Sequence, residues 1–198
     1  MSRFARVAVL ISGGGTNLQA IIDRLAEGEL PHVELALVAS SRKNAGGLDR
    51  AERAGIKHVY IGKENFEQDL IKLLDEHEID IIVLAGFLKI LSSDFVSRYP
   101  DRIINVHPSL IPSFCGDGFY GLRVHEAALS YGVKVTGATV HFVNEVTDGG
   151  KIIAQRAVDV KDGDTPEILQ RRVMEEAEWK LLPAAVEKVA AEIVARRG

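Results

Sequence analysis

A single cysteine, Cys115, stands in the whole chain. No internal disulfide can form, and so sparse a thiol content fits a reducing compartment. An excess of positive charge is missing too. Lysine and arginine number 24 against 28 aspartate and glutamate, for a formal net charge of -4, and no sustained basic stripe is available to neutralise the phosphates of a polymer. Nucleic acid is therefore not expected as a main partner. No apolar run approaches the roughly 20 residues that a bilayer demands. The opening MSRFARVAVLISGGG turns glycine-rich too soon for a signal peptide or a span, so the expectation is a cytoplasmic protein with no membrane partner. Repeats, low-complexity tracts and convincing linkers are also lacking.

What is present is the mixture of an ordinary compact fold. Hydrophobic residues make up 46% and charged residues 26% of the 198 positions, far from disordered, collagenous or disulfide-rich compositions. A chain of this length, folded as one domain over residues 1–198, buries about 70% of the surface its unfolded form exposes and needs no covalent staple.

RVAVLIS at 6–12 is a short β-branched run that ends in glycines, and TNLQAIIDRLAEG after it carries Leu18, Ile21, Ile22 and Leu25 at helical spacing. The alternation recurs: VELALVAS at 33–40 precedes AGGLDRAERAG, and HVYIG at 58–62 precedes FEQDLIKLLDEH. IDIIVLAG at 79–86 and RIINVH at 102–107 read as two more strands. Strands that are apolar on consecutive residues are covered on both faces, which predicts an α/β, Rossmann-like fold with a mostly parallel twisted sheet flanked by helices. Ligands then gather at the carboxyl ends of the strands. KVTGATVHFV at 134–143 and KIIAQRAVDV at 151–160 are separated only by NEVTDGG. That connection is too short for a crossover helix, so the C-terminal half is expected to contribute antiparallel strands. Further on, Asp164 or Thr165 is expected to cap a helix with Pro166 in its first turn, and Pro183 to kink or divide the helical stretch beyond it.

ISGGGTNLQA sets three glycines between the first strand and the first helix, where main-chain N–H groups and the positive helix end can cradle an anion. The dinucleotide fingerprint would need glycine at 13, 15 and 18, but position 18 is leucine; a Walker loop would need a Gly-Lys pair that is missing. A single terminal phosphate suits this loop better than ATP or NAD. A plain tight turn is the competing reading.

RIINVHPSLIPSF, residues 102–114, places Asn105 and His107 two apart on a strand, hence on one face at its carboxyl end. Asp148 lies in a TDGG turn. An amide donor, an imidazole and a carboxylate are the parts that hold negative charge developing on a carbonyl oxygen while protons move. Taken singly, each has a local alternative: a strand-end histidine as a satisfied structural residue, an aspartate before two glycines as a turn former. His107, His125 and His141 match no compact metal-ligand spacing. Cys115 has no evident neighbouring base to make it an acyl acceptor, and His141 in TVHFV reads as filling for a half-buried strand. The residues alone define an enzyme-like α/β domain with one phosphate site and one oxyanion site.

Four segments, VLISGGGTNLQAII, VLAGFLKIL, NVHPSLIPSF and GATVHFVNEVTDGG, stand in the order and at the spacing of the phosphoribosylglycinamide formyltransferases, the folate-dependent GAR transformylases. The chain resembles that family over essentially its whole length. The resemblance implies an enzyme of de novo purine biosynthesis that moves the formyl group of 10-formyltetrahydrofolate to the primary amine of glycinamide ribonucleotide, by direct attack through a tetrahedral intermediate and without a metal. It implies an N-terminal half that binds the phosphate and a C-terminal half that binds the folate. Gly15, Thr16 and Asn17 would hold the ribose phosphate, with Glu178 on the same substrate. Lys89, Ile90 and Leu91 would line the pterin pocket largely through their main chain, and the 144–148 loop, with Asn144 and Asp148, would close its other side. Lys63 stands where the family often carries an arginine near the folate tail. Asn105 and His107 would stabilise the oxyanion, with Asp148 orienting His107 and passing a proton through water. This chain has Glu178-Trp179 where the family has Glu-His, and its helix needs a one-residue adjustment to align. A homodimer is compatible with the resemblance. The rival readings are a 10-formyltetrahydrofolate hydrolase, a formyltransferase acting on initiator tRNA, and a non-catalytic module that binds a phosphorylated metabolite.

Overall fold

The computed structural model describes residues 3–197. Seven strands form one sheet: β1 (Ala5–Ile11), β2 (Val33–Ser40), β3 (His58–Tyr60), β4 (Ile81–Leu84), β5 (Ile103–His107), β6 (Val135–Phe142) and β7 (Ile152–Asp159), in the order β3-β2-β1-β4-β5-β6-β7. The first five run parallel; β6 is antiparallel to β5, and β7 to β6. This is the mixed, mostly parallel sheet that the unbroken apolar runs predict. Alternation along β1 divides the core. Val7, Val9 and Ile11 pack into one buried cluster together with Leu18, Ile21 and Val186, while Ala8 and Leu10 pack into another on the opposite face with Leu70, Leu74 and Phe95.

The helices are α1 (Thr16–Ala26), α2 (Gly46–Arg53), α3 (Phe66–Glu76), α4 (Ser93–Arg98), α5 (Leu122–Tyr131), α6 (Pro166–Val173) and α7 (Trp179–Ala195). Two of these, α4 and α5, were not legible in the sequence. Neither is long, and α4 is a six-residue turn held by Ser92, whose side chain accepts from the Phe95 N–H. Among the described residues no helix is long and apolar enough to cross a membrane.

The expected break at Pro183 is corrected by the structure, because α7 continues through that proline. The interruption is a π turn at Met174–Glu178, between α6 and α7. Its effect is visible in the buried positions: Leu169, Val173 and Ala177, then Glu178, Leu182, Val186 and Val189. Uninterrupted α spacing from Ala177 would instead carry Ala184 and Lys188, both exposed, into the core. A wide turn absorbs one extra residue and resets the phase, in the segment where the family resemblance calls for a one-residue adjustment. The carbonyl that the Pro183 ring crowds belongs to Trp179, at the edge of that wide turn, where it is free to tilt.

Of the two expected caps, Thr165 performs the role, its hydroxyl accepting from the Ile168 N–H at 3.3 Å, with Pro166 in the first turn. Asp164 is engaged differently. Its carboxylate takes both terminal nitrogens of Arg172, at 2.5 and 2.6 Å, in a pair whose side chains are almost wholly buried. The Arg172 hydrogen bond pulls the Asp164 carboxyl down to about 2. A folded-state value below the ordinary one, near about 4, means stability that is present above that range and is lost as pH falls toward about 2. Arg172→Met is expected to cost about 2 kcal/mol in urea denaturation at pH 7, the scale of a charge-assisted hydrogen bond. The difference from wild type should shrink as the pH is lowered through that window; a gap independent of pH would remove the ion pair as its cause.

Candidate active site

β1 has β2 on one side and β4 on the other, so the chain leaves it in one direction and returns in the other. Such a reversal opens a crevice at the carboxyl ends of the strands, and the glycine loop lies there. Gly15 caps α1 in the left-handed region at φ +72°. A Cβ at this position would also fall 2.6 Å from the Gly47 Cα, so both the turn and the close passage of α2 require glycine. Thr16 and Asn17 open α1, the former exposed and the latter buried. The Asn17 Nδ2 donates to the Glu178 carboxylate at 2.6 Å, so the structure gathers Gly15, Thr16, Asn17 and Glu178 in one place. Burial pushes the Glu178 carboxyl up, against the opposing pull of Asn17. The Asn17 Oδ1 is buried with no partner, an unmet acceptor beside the glycine loop.

A second group forms on β5. Asn105 and His107 share a face, paired across the antiparallel ladder with His141 and Thr139. The His107 Nδ1 lies 3.5 Å from one Asp148 oxygen, and the His141 Nε2 lies 3.5 Å from the other. The Asn105 Nδ2 is 3.2 Å from the same His141 nitrogen. The other ring nitrogen of His141 carries a hydrogen, because it faces the Phe142 carbonyl at 2.8 Å, which only accepts; the Nε2 accepts from Asn105 in the neutral ring and donates to Asp148 when the ring is protonated. By the same logic the His107 Nε2, 2.9 Å from the Phe114 carbonyl oxygen, must carry a hydrogen. Its Nδ1 then faces a carboxylate, and the pair is favourable when that nitrogen is protonated as well. Burial would raise the Asp148 carboxyl, but hydrogen bonding from His141 and from the Gly116 N–H, together with the positive charge of the imidazoles, outweighs it and holds the group below the usual carboxylate range. The Gly116 contact is 2.9 Å. His125 is fully buried, pushed down to about 4 by burial and by the nearby His107, and both of its ring nitrogens lack a partner. The Cys115 thiol is pushed up, first by burial and then by the Asp148 charge, which opposes a nucleophilic thiolate.

Asn105, His107 and Asp148 therefore converge. His141 joins them, a role that reading it as strand filling missed; it pairs with Asn105 across the β5–β6 ladder, whose strands are separated in sequence by α5, so the sequence carries no local signal for the pairing. Leu10 pairs with Leu84, and Leu84 with Asn105. The glycine loop and the Asn105 group thus emerge two strand spacings apart, about 10 Å, the span of a small sugar phosphate.

On the expected pterin side, Leu88 and Ile90 expose 53% and 82% of their surface, apolar edges suited to a flat heteroaromatic ring. Leu91 packs onto the core. The Lys89 Nζ sits over the Phe66 ring at 4.1 Å. Lys63 is exposed in the turn between β3 and α3, the helix that Phe66 begins. Asn144 is exposed and shapes its own loop, accepting from Val146 and donating to Gly149. Among the described residues, no group of three or more His, Cys, Asp or Glu side chains is placed to hold a metal ion.

One buried hydroxyl joins the two sides. The Ser12 Oγ accepts from the Leu88 N–H at 2.9 Å and lies 2.7 Å from the Ser41 Oγ, while the Ser12 N–H donates to the Gly86 carbonyl.

Fold and strand-end geometry define an α/β domain whose glycine loop and charged polar cluster both lie at the carboxyl ends of the parallel strands. The formyl transferase family matches residues 5–186, and the chain belongs to it. It is 38% identical to phosphoribosylglycinamide formyltransferase of Haemophilus influenzae over 91% of this chain and 85% of that protein. It is 47% identical over 94% of its length to the human trifunctional purine biosynthetic protein adenosine-3, of which it spans only 18%. The crystal structure of glycinamide ribonucleotide transformylase 1 from Symbiobacterium toebii superposes with a TM-score of 0.89 at 40% identity, covering 97% of this chain and 90% of that one.

Ser12→Ala strands the Leu88 N–H and the Ser41 hydroxyl. It is expected to lower the unfolding free energy by about 1–3 kcal/mol, read from the midpoint of urea denaturation; an unchanged midpoint would mean that the junction carries no stability.

Proposed function

We propose that the protein transfers the formyl group of 10-formyltetrahydrofolate to the primary amine of glycinamide ribonucleotide, a step of de novo purine biosynthesis. The observation that carries this reading is the convergence of Asn105, His107 and Asp148 two strands from a glycine loop with an unmet acceptor, in a chain of the formyl transferase family. Gly15, Thr16, Asn17 and Glu178 hold the ribose phosphate. The segment through Lys89, Ile90 and Leu91 faces the pterin, with Asn144 and Asp148 across from it and Lys63 toward the folate tail. A cytoplasmic location accompanies this reading, supported by the single thiol.

The folate supplies an activated one-carbon unit. When the amine nitrogen bonds to the formyl carbon, an electron pair moves onto the formyl oxygen, and the Asn105 amide and the His107 ring donate to it. His107 donates its Nε2–H to the Phe114 carbonyl in the structure, and an oxyanion is the stronger acceptor. Asp148, held ionised, keeps His107 oriented and stabilises its charge. Through a water it relays the proton leaving the amine to the folate nitrogen as the C–N bond to the donor breaks. No side-chain nucleophile takes part.

Purified protein mixed with 10-formyltetrahydrofolate, with and without glycinamide ribonucleotide, tests the proposal. Loss of the donor that depends on the amine is expected; loss without the amine would make the protein a hydrolase, and binding without turnover a sensor module. His107→Ala should lower kcat by a factor of about 10²–10³, equivalent to ~3–4 kcal/mol of transition-state stabilisation, with little change in affinity for the ribose phosphate. Near-normal turnover would remove His107 from the chemistry. Cys115→Ala should be almost silent, whereas an inactive variant would demand a thiol acyl-enzyme.

A further inference from the structure

The glycine loop does not hold its shape alone. Two groups on α2 take its outward carbonyls: the Gly47 N–H donates to the Gly13 oxygen at 3.1 Å, and the Arg50 Nε donates to the Gly14 oxygen at 2.7 Å. In a trans peptide the N–H points opposite to the carbonyl. Fixing these two carbonyls toward α2 therefore turns the N–H groups of Gly14 and Gly15 the other way, alongside the free N–H groups that begin α1.

Arg50 is itself pinned. Its Nη1 donates to the Gln19 Oε1 at 3.0 Å, and the Gln19 Nε2 donates onward to Asp23 at 2.8 Å. A guanidinium carries five N–H donors, and these bonds engage two of them. Arg50 also lines a cavity of about 400 Å³ that begins at Thr16 and runs along α1 past Trp179. The carboxylates of that cavity have their own partners: Asp23 with Gln19, Glu27 with Arg24, and Glu175 with Arg171. The charge of Arg50, by contrast, is met by a carbonyl and an amide, both neutral.

A second feature marks the start of α1 as the place of a ligand that also brings a hydrogen-bond donor, as a sugar hydroxyl does. Asn17 is only 8% exposed, and its Oδ1 has no partner.

We propose that Arg50 is the positioning residue of the anion loop: it holds the Gly13–Gly15 backbone in its ligand-ready form and supplies the positive charge that makes the site prefer a doubly charged phosphate monoester to an uncharged sugar. This inference rests on the ribose-phosphate half of the function proposed above.

Titration calorimetry with ribose 5-phosphate and with ribose, on wild type, Arg50→Lys and Arg50→Met, tests it alongside steady-state kinetics. Arg50→Met is expected to weaken ribose 5-phosphate by about tenfold or more, the scale of one charge-assisted hydrogen bond. The KM for glycinamide ribonucleotide should rise by the same factor, with kcat and the KM for the formyl donor little changed. Lysine keeps the charge but loses the fork, so Arg50→Lys should fall between the two. A merely structural role would depress kcat and both KM values together and would show no rescue by lysine. Wild-type affinity for ribose 5-phosphate in Arg50→Met overturns the inference, as does a fall in kcat at unchanged KM. Should Arg50→Met fail to fold, Gln19→Ala decides, since it frees one arm of the fork: severalfold weaker ribose 5-phosphate binding supports the inference and unchanged binding overturns it. The two readings fail separately. A wild type that binds ribose 5-phosphate in an Arg50-dependent way without turning over glycinamide ribonucleotide ends the formyl-transfer reading and leaves this one standing. Full turnover with an indifferent Arg50 does the reverse.

Discussion

The buried Ser12 hydroxyl is the contact on which the placement of both candidate ligand regions depends. It follows β1, the strand at which the strand order reverses, and it binds the loop after β4 while the next three residues become the glycine loop. Two loops that leave adjacent strands would otherwise be free to drift relative to each other. A bimolecular reaction between two bound ligands is sensitive to that drift, since misplacement by about 1 Å costs on the order of a hundredfold in rate. The rest of the arrangement, with α2 behind the glycines and β5 beside β4, adds stiffness to a distance that this junction sets.

Electrostatics in the Asn105 group follow from competition between burial and contact. Asp148 is buried, which favours a neutral carboxyl, yet it is bracketed by two imidazoles and the Gly116 N–H and stays on the ionised side. His125, deeper and with no partner for either nitrogen, resolves the same competition the other way and stays neutral. Glu178 resembles His125 more than Asp148, because the single hydrogen bond from Asn17 does not offset full burial. The same end of the sheet thus carries a charged carboxylate, from the β6–β7 connection, beside β5 and a carboxyl biased toward the neutral form behind the glycine loop. Under the formyl-transfer reading, a neutral acid near the ribose phosphate avoids the like-charge repulsion that an ionised carboxylate would bring.

Much of the fold was legible because it rests on periodicity. Consecutive apolar residues in β1, β2 and β4 required cover on both faces, and the short NEVTDGG connection required antiparallel pairing. Asn105 and His107 were legible as neighbours for the same reason, since alternation along a strand puts them on one face whatever lies around them. His141 was not, because its partner across the ladder depends on a register that the chain before β6 does not announce. The π turn was hidden for a related reason. Propensity does not distinguish Met174–Glu178 from an ordinary helix, and only the shifted phase of buried positions beyond it, with Glu178 inside and Lys188 outside, records the extra residue. Pro183 misled because the strain it threatens is taken up one turn earlier. Ser12 and Arg50 act through hydrogen bonds to main-chain atoms distant in sequence, and these carry no local pattern at all.

The His107 contacts bear on why such a site favours a transition state over bound substrates. Its Nε2–H is directed at the Phe114 carbonyl, and the same short segment returns the Gly116 N–H to Asp148. The donor is therefore already oriented and screened from water before any reaction, and orienting it again costs little. A substrate carbonyl is a neutral acceptor, no better than the one it would replace, so exchanging one for the other gains almost nothing in the ground state. Once charge develops on the oxygen the exchange becomes favourable, because an anionic oxygen is a stronger acceptor than a neutral carbonyl. Under the formyl-transfer reading, the Phe114 carbonyl acts as a reference acceptor, and the gain appears only as the oxyanion forms. An interaction realised only in the transition state raises kcat rather than tightening substrate binding.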